Sequence, residues 1–184
     1  CESRRVGGAK RMGTRGGKRK TIVAVDKKTG AKKWSSPVPN LGPKGNDGAG
    51  YSSVVISKAC GRRQYVQLFG NGVVGVDAVN GKHLGGYNRV GNGTANIRTP
   101  IVHDDYVFCS TGYGAGAALL HLVKAGNGIK AEEKYFLEAK TLQNHHGGMV
   151  LIGDCVYGGH GHNSGAQICV ELLTGKVKWR ENRG

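Results

Sequence analysis

Four of the seven histidines stand in two pairs, Asn144-His145-His146-Gly147-Gly148 and Gly159-His160-Gly161-His162-Asn163. Two or three neutral imidazoles facing one point suit Zn, Cu, Ni or Fe, and glycine neighbours let backbone and rings approach closely. His145, His146, His160 and His162 are therefore the candidate metal ligands. In extended backbone His160 and His162 share a face. No carboxylate is clearly available as a further ligand, and a surface or hydrogen-bonding role competes with metal binding. A second string, Gly112-Tyr113-Gly114-Ala115-Gly116-Ala117, follows the strand-like Tyr106-Val107-Phe108-Cys109, with Glu132 lying 20 residues beyond Gly112. It mimics a dinucleotide fingerprint but lacks the helix that would carry one, because Ala117 to Lys124 is cut short by Ala-Gly-Asn-Gly. No Gly-x-Ser-x-Gly elbow, P-loop or His-Glu-x-x-His is present, so no catalytic residue is assigned. The five cysteines form no Cys-x-x-Cys pair; Cys155 and Cys169 fall on two arms of a hairpin whose register the sequence leaves open.

What positions these residues is a repeat. Residues 24–34 read Ala-Val-Asp-Lys-Lys-Thr-Gly-Ala-Lys-Lys-Trp and residues 169–179 read Cys-Val-Glu-Leu-Leu-Thr-Gly-Lys-Val-Lys-Trp. Residues 75–85 follow the same frame, with Asn80 for Thr and Gly85 where Trp would fall. The frame comprises Asp26, Thr29, Gly30 and Trp34; Asp77, Asn80 and Gly81; and Glu171, Thr174, Gly175 and Trp179. From Asp26 to Asp77 is 51 residues, and from Asp77 to Glu171 is 94, or twice 47, which leaves room for a worn copy around Leu120–Gly128. A period near 50 with several short strands per unit marks a radial β-propeller of four-stranded antiparallel blades. The acid accepts hydrogen bonds from the following turn, Thr-Gly or Asn-Gly supplies the turn geometry, and Trp covers a bare glycine peptide of the adjacent blade.

The expected fold is accordingly all-β, a partial propeller of three to four blades in a single domain over 1–184. A degenerate basic first blade covers 1–36, and further blades span 50–89, 97–138 and 144–184. Lys130–Lys140 has good helix propensity, yet the register makes it an outer strand, with a short helix allowed only near Leu137–Leu142.

The Asp-x-x-Thr-Gly-x-x-x-Trp frame resembles the tryptophan-docking repeat of the pyrroloquinoline-quinone-like (PQQ-like) β-propellers of bacteria. Some members of that family bind the quinone and oxidise alcohols or sugars; others are scaffolds without cofactor. The resemblance implies an exported, periplasmic scaffold or binding domain of about half a propeller. Its partners would be a protein, the remaining blades, or a second copy of the chain. The alternative it implies is part of a quinone- or metal-dependent oxidoreductase whose other ligands lie outside this chain, with PQQ or a transition metal as cofactor. Against that alternative, no two cysteines adjoin and no clustered Asp/Asn/Glu set stands out.

Composition narrows the rest. Glycine contributes 33 of 184 residues without a collagen period, and 38% apolar residues suffice for a packed interior. No run is long and apolar enough for a membrane-spanning helix. Residues 1–34 hold 12 Lys and Arg against 2 acids, and so carry +10 of the net +15. Such a segment attracts polyanions without reading sequence, and no aromatic residue within residues 1–20 stacks on bases.

Overall fold

The computed structural model describes residues 21–46, 50–163 and 165–181. Most of the basic segment, and the inner strands expected of a first blade, lie outside the described residues. The first sheet pairs β1 (Ile22–Val25) with β2 (Lys32–Ser36). The second runs β3 (Val55–Ser57), β4 (Gln64–Phe69), β5 (Gly72–Asp77) and β6 (His83–Tyr87) in that order. The third contains β7 (Ile101–His103), β8 (Tyr106–Thr111), β9 (Gly116–Ala125) and β10 (Gly128–Leu137), and the fourth β11 (Val150–Ile152), β12 (Cys155–His160), β13 (Ala166–Glu171) and β14 (Val177–Arg180). Every pairing between these strands is antiparallel and between chain neighbours. The fold is an all-β partial propeller, and the 3-10 turn Ala59–Gly61 is its only helical piece among the described residues.

Central strands of the second and third sheets read as near-continuous apolar runs because each of these two sheets has a neighbour on both faces. Side chains alternate across a strand. On β4 and β5, Tyr65, Phe69, Val74 and Val76 pack with Ile22 and Trp34 toward the first sheet. Their alternates Val66, Leu68 and Val73 pack with Val107, Leu120 and Ile129 toward the third. The third sheet repeats the arrangement, turning Phe108 and Leu119 against Val156, Ile168 and Val170 of the fourth. Three cores therefore separate four sheets in a row.

The junctions are sealed in three ways. At the first, the Trp34 ring lies over Gly81, where an added Cβ would sit 2.4 Å from the ring. At the second, Gly85 replaces the aromatic and the backbones themselves meet, so that a Cβ on Gly85 would fall 1.9 Å from the Ile129 carbonyl oxygen. A small void of about 20 Å³ remains there, lined by Gln64, Val66, Gly85, Tyr87 and Leu122 among others. At the third, Tyr135 covers Gly175 and its hydroxyl donates to the Leu172 carbonyl at 2.7 Å.

No helix forms over Leu137–Leu142. Strand β10 continues through Leu137, and the N–H groups of Thr141 and Leu142 return to the Glu138 carbonyl in a turn. Pairing of β10 along nearly the whole of β9 overrides the helical propensity of the Lys-Ala-Glu-Glu-Lys stretch. The Gly112–Ala117 string is the hairpin between β8 and β9, with Thr111 opposite Gly116. Cys155 faces Glu171 while Cys169 faces Tyr157, so the two cysteines are offset by two positions and both are free.

Candidate binding site at one mouth of the array

Antiparallel up-and-down connectivity sorts the connections into two rims. One rim holds the β1–β2, β5–β6 and β13–β14 turns, where the repeat frames lie. Asp26 Oδ1 accepts from the N–H groups of Lys28 (3.0 Å) and Thr29 (3.1 Å), and Asp77 Oδ1 from those of Val79 (2.8 Å) and Asn80 (3.1 Å). The Glu171 carboxylate takes the Thr174 hydroxyl instead, because its longer side chain reaches past the turn amides. In each copy the next polar residue closes the turn: Thr29 Oγ1, Asn80 Oδ1 and Thr174 Oγ1 accept from Ala31, Lys82 and Lys176. Gly30, Gly81 and Gly175 follow at φ of 72°, 75° and 72°, a conformation that glycine alone adopts freely. The two backbone N–H groups and the Lys33 ion pair hold Asp26 down at about 2. Burial pushes Asp77 upward, but Arg62 at 2.8 Å and the turn amides outweigh it and leave the carboxyl below its ordinary range. This rim is a set of turn locks, with its acids already committed.

The opposite rim gathers the hairpins between second and third strands and the links between sheets, and the histidines lie there. The His145 ring stacks on His162 with centroids 4.1 Å apart and 13° between planes, and His146 lies 3.9 Å from His145. Tyr113 meets His145 edge-on at 4.5 Å. His145 Nδ1 donates to the His162 carbonyl at 2.9 Å, which leaves Nε2 to accept from the Tyr113 hydroxyl at 2.6 Å. Both ring nitrogens of His145 are thus engaged. His160 is apart from the trio, buried on β12 with Nδ1 accepting from the Gln143 N–H at 3.3 Å. Burial, then the nearby Arg180, hold its pKa below the ordinary histidine value. Among the described residues no three His, Cys, Asp or Glu are placed to hold one metal ion. The acids Asp26, Asp77 and Glu171 are bound up in turns on the far rim.

Beside Tyr113 opens a polar cleft of about 380 Å³, lined by Lys44, Arg89, Asn92, Tyr113, Phe136 and Glu138 together with glycines. Its parts come from the links flanking the second sheet, the β8–β9 hairpin and the end of β10. The Arg89 guanidinium lies 3.7 Å over the Phe136 ring and pairs with Glu133 (2.9 Å) and Glu138 (3.0 Å). Tyr87 donates to the same Glu133, and burial followed by that carboxylate pushes the phenol pKa up. Asn71 and Asn88 clamp the 41–46 link: Asn71 Oδ1 accepts from Leu41 N–H, Asn88 Oδ1 accepts from Lys44 N–H, and both side-chain amides donate to the Lys44 carbonyl. Lys44, Asn71, Asn88, Arg89 and Phe136 fall outside the repeat frame, the histidine pairs and the glycine string. They belong to no motif, and only the folded links bring them together. Tyr113 lay inside the glycine string; its φ of 56°, unusual for a non-glycine residue, marks it as a built position.

Over residues 8–181 the sequence matches the family described as outer membrane protein assembly factor BamB. No curated protein matches the chain. Among solved structures, the crystal structure of BamB from Moraxella catarrhalis matches with a TM-score of 0.40 and 15% identity, over 88% of this chain and 58% of that one. The chain therefore spans somewhat more than half the length of that structure.

Proposed function

We propose, from the premise that the chain belongs to the family of outer membrane protein assembly factor BamB, that it is a non-catalytic propeller scaffold presenting one mouth of the array to a protein partner. The observation that carries this reading is the clamped cleft. Asn71 and Asn88 hold a link from one sheet against the next, so the mouth is rigid before anything binds. Rigid recognition surfaces lose less entropy on association, which is what a scaffold needs. The other rim is occupied by turn locks. The family description makes the bacterial periplasm the proposed compartment and an envelope assembly the proposed setting. Further blades or a second copy of the chain would cover the open face of the fourth sheet, where Trp179 is 42% exposed. The +10 of residues 1–34 adds non-specific attraction for polyanions.

Photo-crosslinking tests this in cells. A benzophenone amino acid replacing Tyr113 at the mouth is expected to capture a discrete partner, and one replacing Val79 on the opposite rim is expected to capture none. Capture at Val79 alone would sink the assignment of the mouth.

A further inference from the structure

The cleft's cations and acids balance in number, Lys44 and Arg89 against Glu133 and Glu138, but they are unevenly paired. Arg89 is matched by Glu133 and Glu138, which fix its guanidinium on Phe136. Lys44 lines the same cleft and has no ion-pair partner among the described residues. Its backbone is nevertheless held by hydrogen bonds of 2.9 Å from Asn71 and Asn88 and to Asn88. A flexible cation on solvent needs no such support; here a cation is mounted on a braced link at the edge of a concavity. The lining carries planar groups: the Arg89–Phe136 stack and the Tyr113 ring, which meets His145 and His162 edge-on. Flat rings and backbone glycines suit the planar amides of an extended polypeptide, and about 380 Å³ has the capacity for a few residues.

We infer that this cleft binds an acidic, extended segment of a partner polypeptide, with Lys44 as the carboxylate anchor and the Tyr113 and Arg89–Phe136 walls as the seat for its backbone. The inference rests on the scaffold reading and adds the chemistry of the partner. A net charge of +15 steers acidic segments toward the molecule, and a charge-assisted hydrogen bond to Lys44 gives one of them a place to stop.

Fluorescence anisotropy on the full chain, in about 150 mM salt to suppress distant charges, tests this with a fluorescein-labelled hexapeptide of alternating Glu and Val. The peptide is expected to bind, and its Gln–Val counterpart at least about tenfold more weakly, the worth of one charge-assisted hydrogen bond. Lys44→Gln is expected to cost a similar factor for the acidic peptide alone, and Lys44→Arg to restore most of it. Lys28→Gln, on the opposite rim, is expected to change nothing. Equal losses from Lys44→Gln and Lys28→Gln would show diffuse attraction and overturn the inference, as would equal binding of both peptides. A sulfated glycan that binds more tightly than the peptide in a Lys44-dependent way would overturn it in favour of a polysaccharide. If Tyr113 crosslinks to a partner while Lys44→Gln has no effect, the scaffold reading stands and the acidic chemistry falls.

Discussion

Arg98 is 4% exposed, and its Nε and one terminal nitrogen are buried with no hydrogen-bond partner among the described residues. Burial lowers its pKa. Such a group costs folding free energy, since desolvation is not offset by pairing. Arg98→Met keeps an unbranched apolar stem and removes the buried charge, so it is expected to raise stability by about 1 kcal/mol or more, read as a higher urea midpoint. Buried His160 and half-buried His83 act on acidification. His160 and His83 both have pKa values lowered first by burial, so the folded chain disfavours their protonated forms. The unfolded chain takes up these protons first. Their contribution is therefore complete above about pH 6.5 and is lost as pH falls below it. Melting temperature is expected to drop between pH 7 and 5, and the drop to flatten in His160→Asn. An unchanged slope in that variant would remove His160 from the account.

Elements meet through glycines, and each junction has its own sensitivity. Gly85→Ala drives a Cβ into the Ile129 carbonyl, with backbone on both sides and nothing flexible to yield. A loss of about 2 kcal/mol or more is expected from such overpacking. At the next junction Tyr135→Ala removes the ring from Gly175 and should cost about 3 kcal/mol. Tyr135→Phe, which loses only the bond to Leu172, should cost about 1 kcal/mol. Chemical denaturation of the three variants checks the order. These junctions also show what the sequence made legible. The strands from Gln64 to Asp77 are readable because both faces are apolar and a turn glycine separates them. The frame at Asp26, Asp77 and Glu171 is readable because a carboxylate, a turn residue and a glycine recur at fixed offsets. Tyr135 is not readable as a partner of Gly175, since it occupies an outer-strand position in a worn copy with neither acid nor Trp. The mouth is hidden for a related reason: Lys44, Arg89 and Tyr113 come from three separate links, and only closure of the sheets brings them together. Of the four histidines singled out, three gather, while the fourth is withdrawn onto β12, where Gln143 meets it.

At the scale of the molecule, a row of sheets sharing cores only with neighbours behaves as a nearly one-dimensional array, with stability set by each unit and its interfaces. The two tryptophans sample two kinds of position in that array. Trp34 is half-buried between the first and second sheets, over Gly81 and 6.2 Å from Tyr65. Trp179 lies on the outer strand of the fourth sheet, 6.1 Å from Tyr157 and 42% exposed, with no glycine turn over its ring among the described residues. Equivalent places in the sequence frame thus have unequal energetic weight. Trp34→Phe should lower stability by about 1 kcal/mol or more through lost packing, while Trp179→Phe should change it by less than about 0.5 kcal/mol, as at other exposed positions. Iodide should quench the fluorescence of the Trp34→Phe variant, which retains Trp179, more strongly than that of the Trp179→Phe variant. Adding a partner that covers the fourth sheet should protect Trp179 and raise the cost of its loss toward that of Trp34. Equal quenching of the two variants in the isolated chain would mean that the fourth sheet is already covered, and that this end of the array is closed by something other than a further sheet.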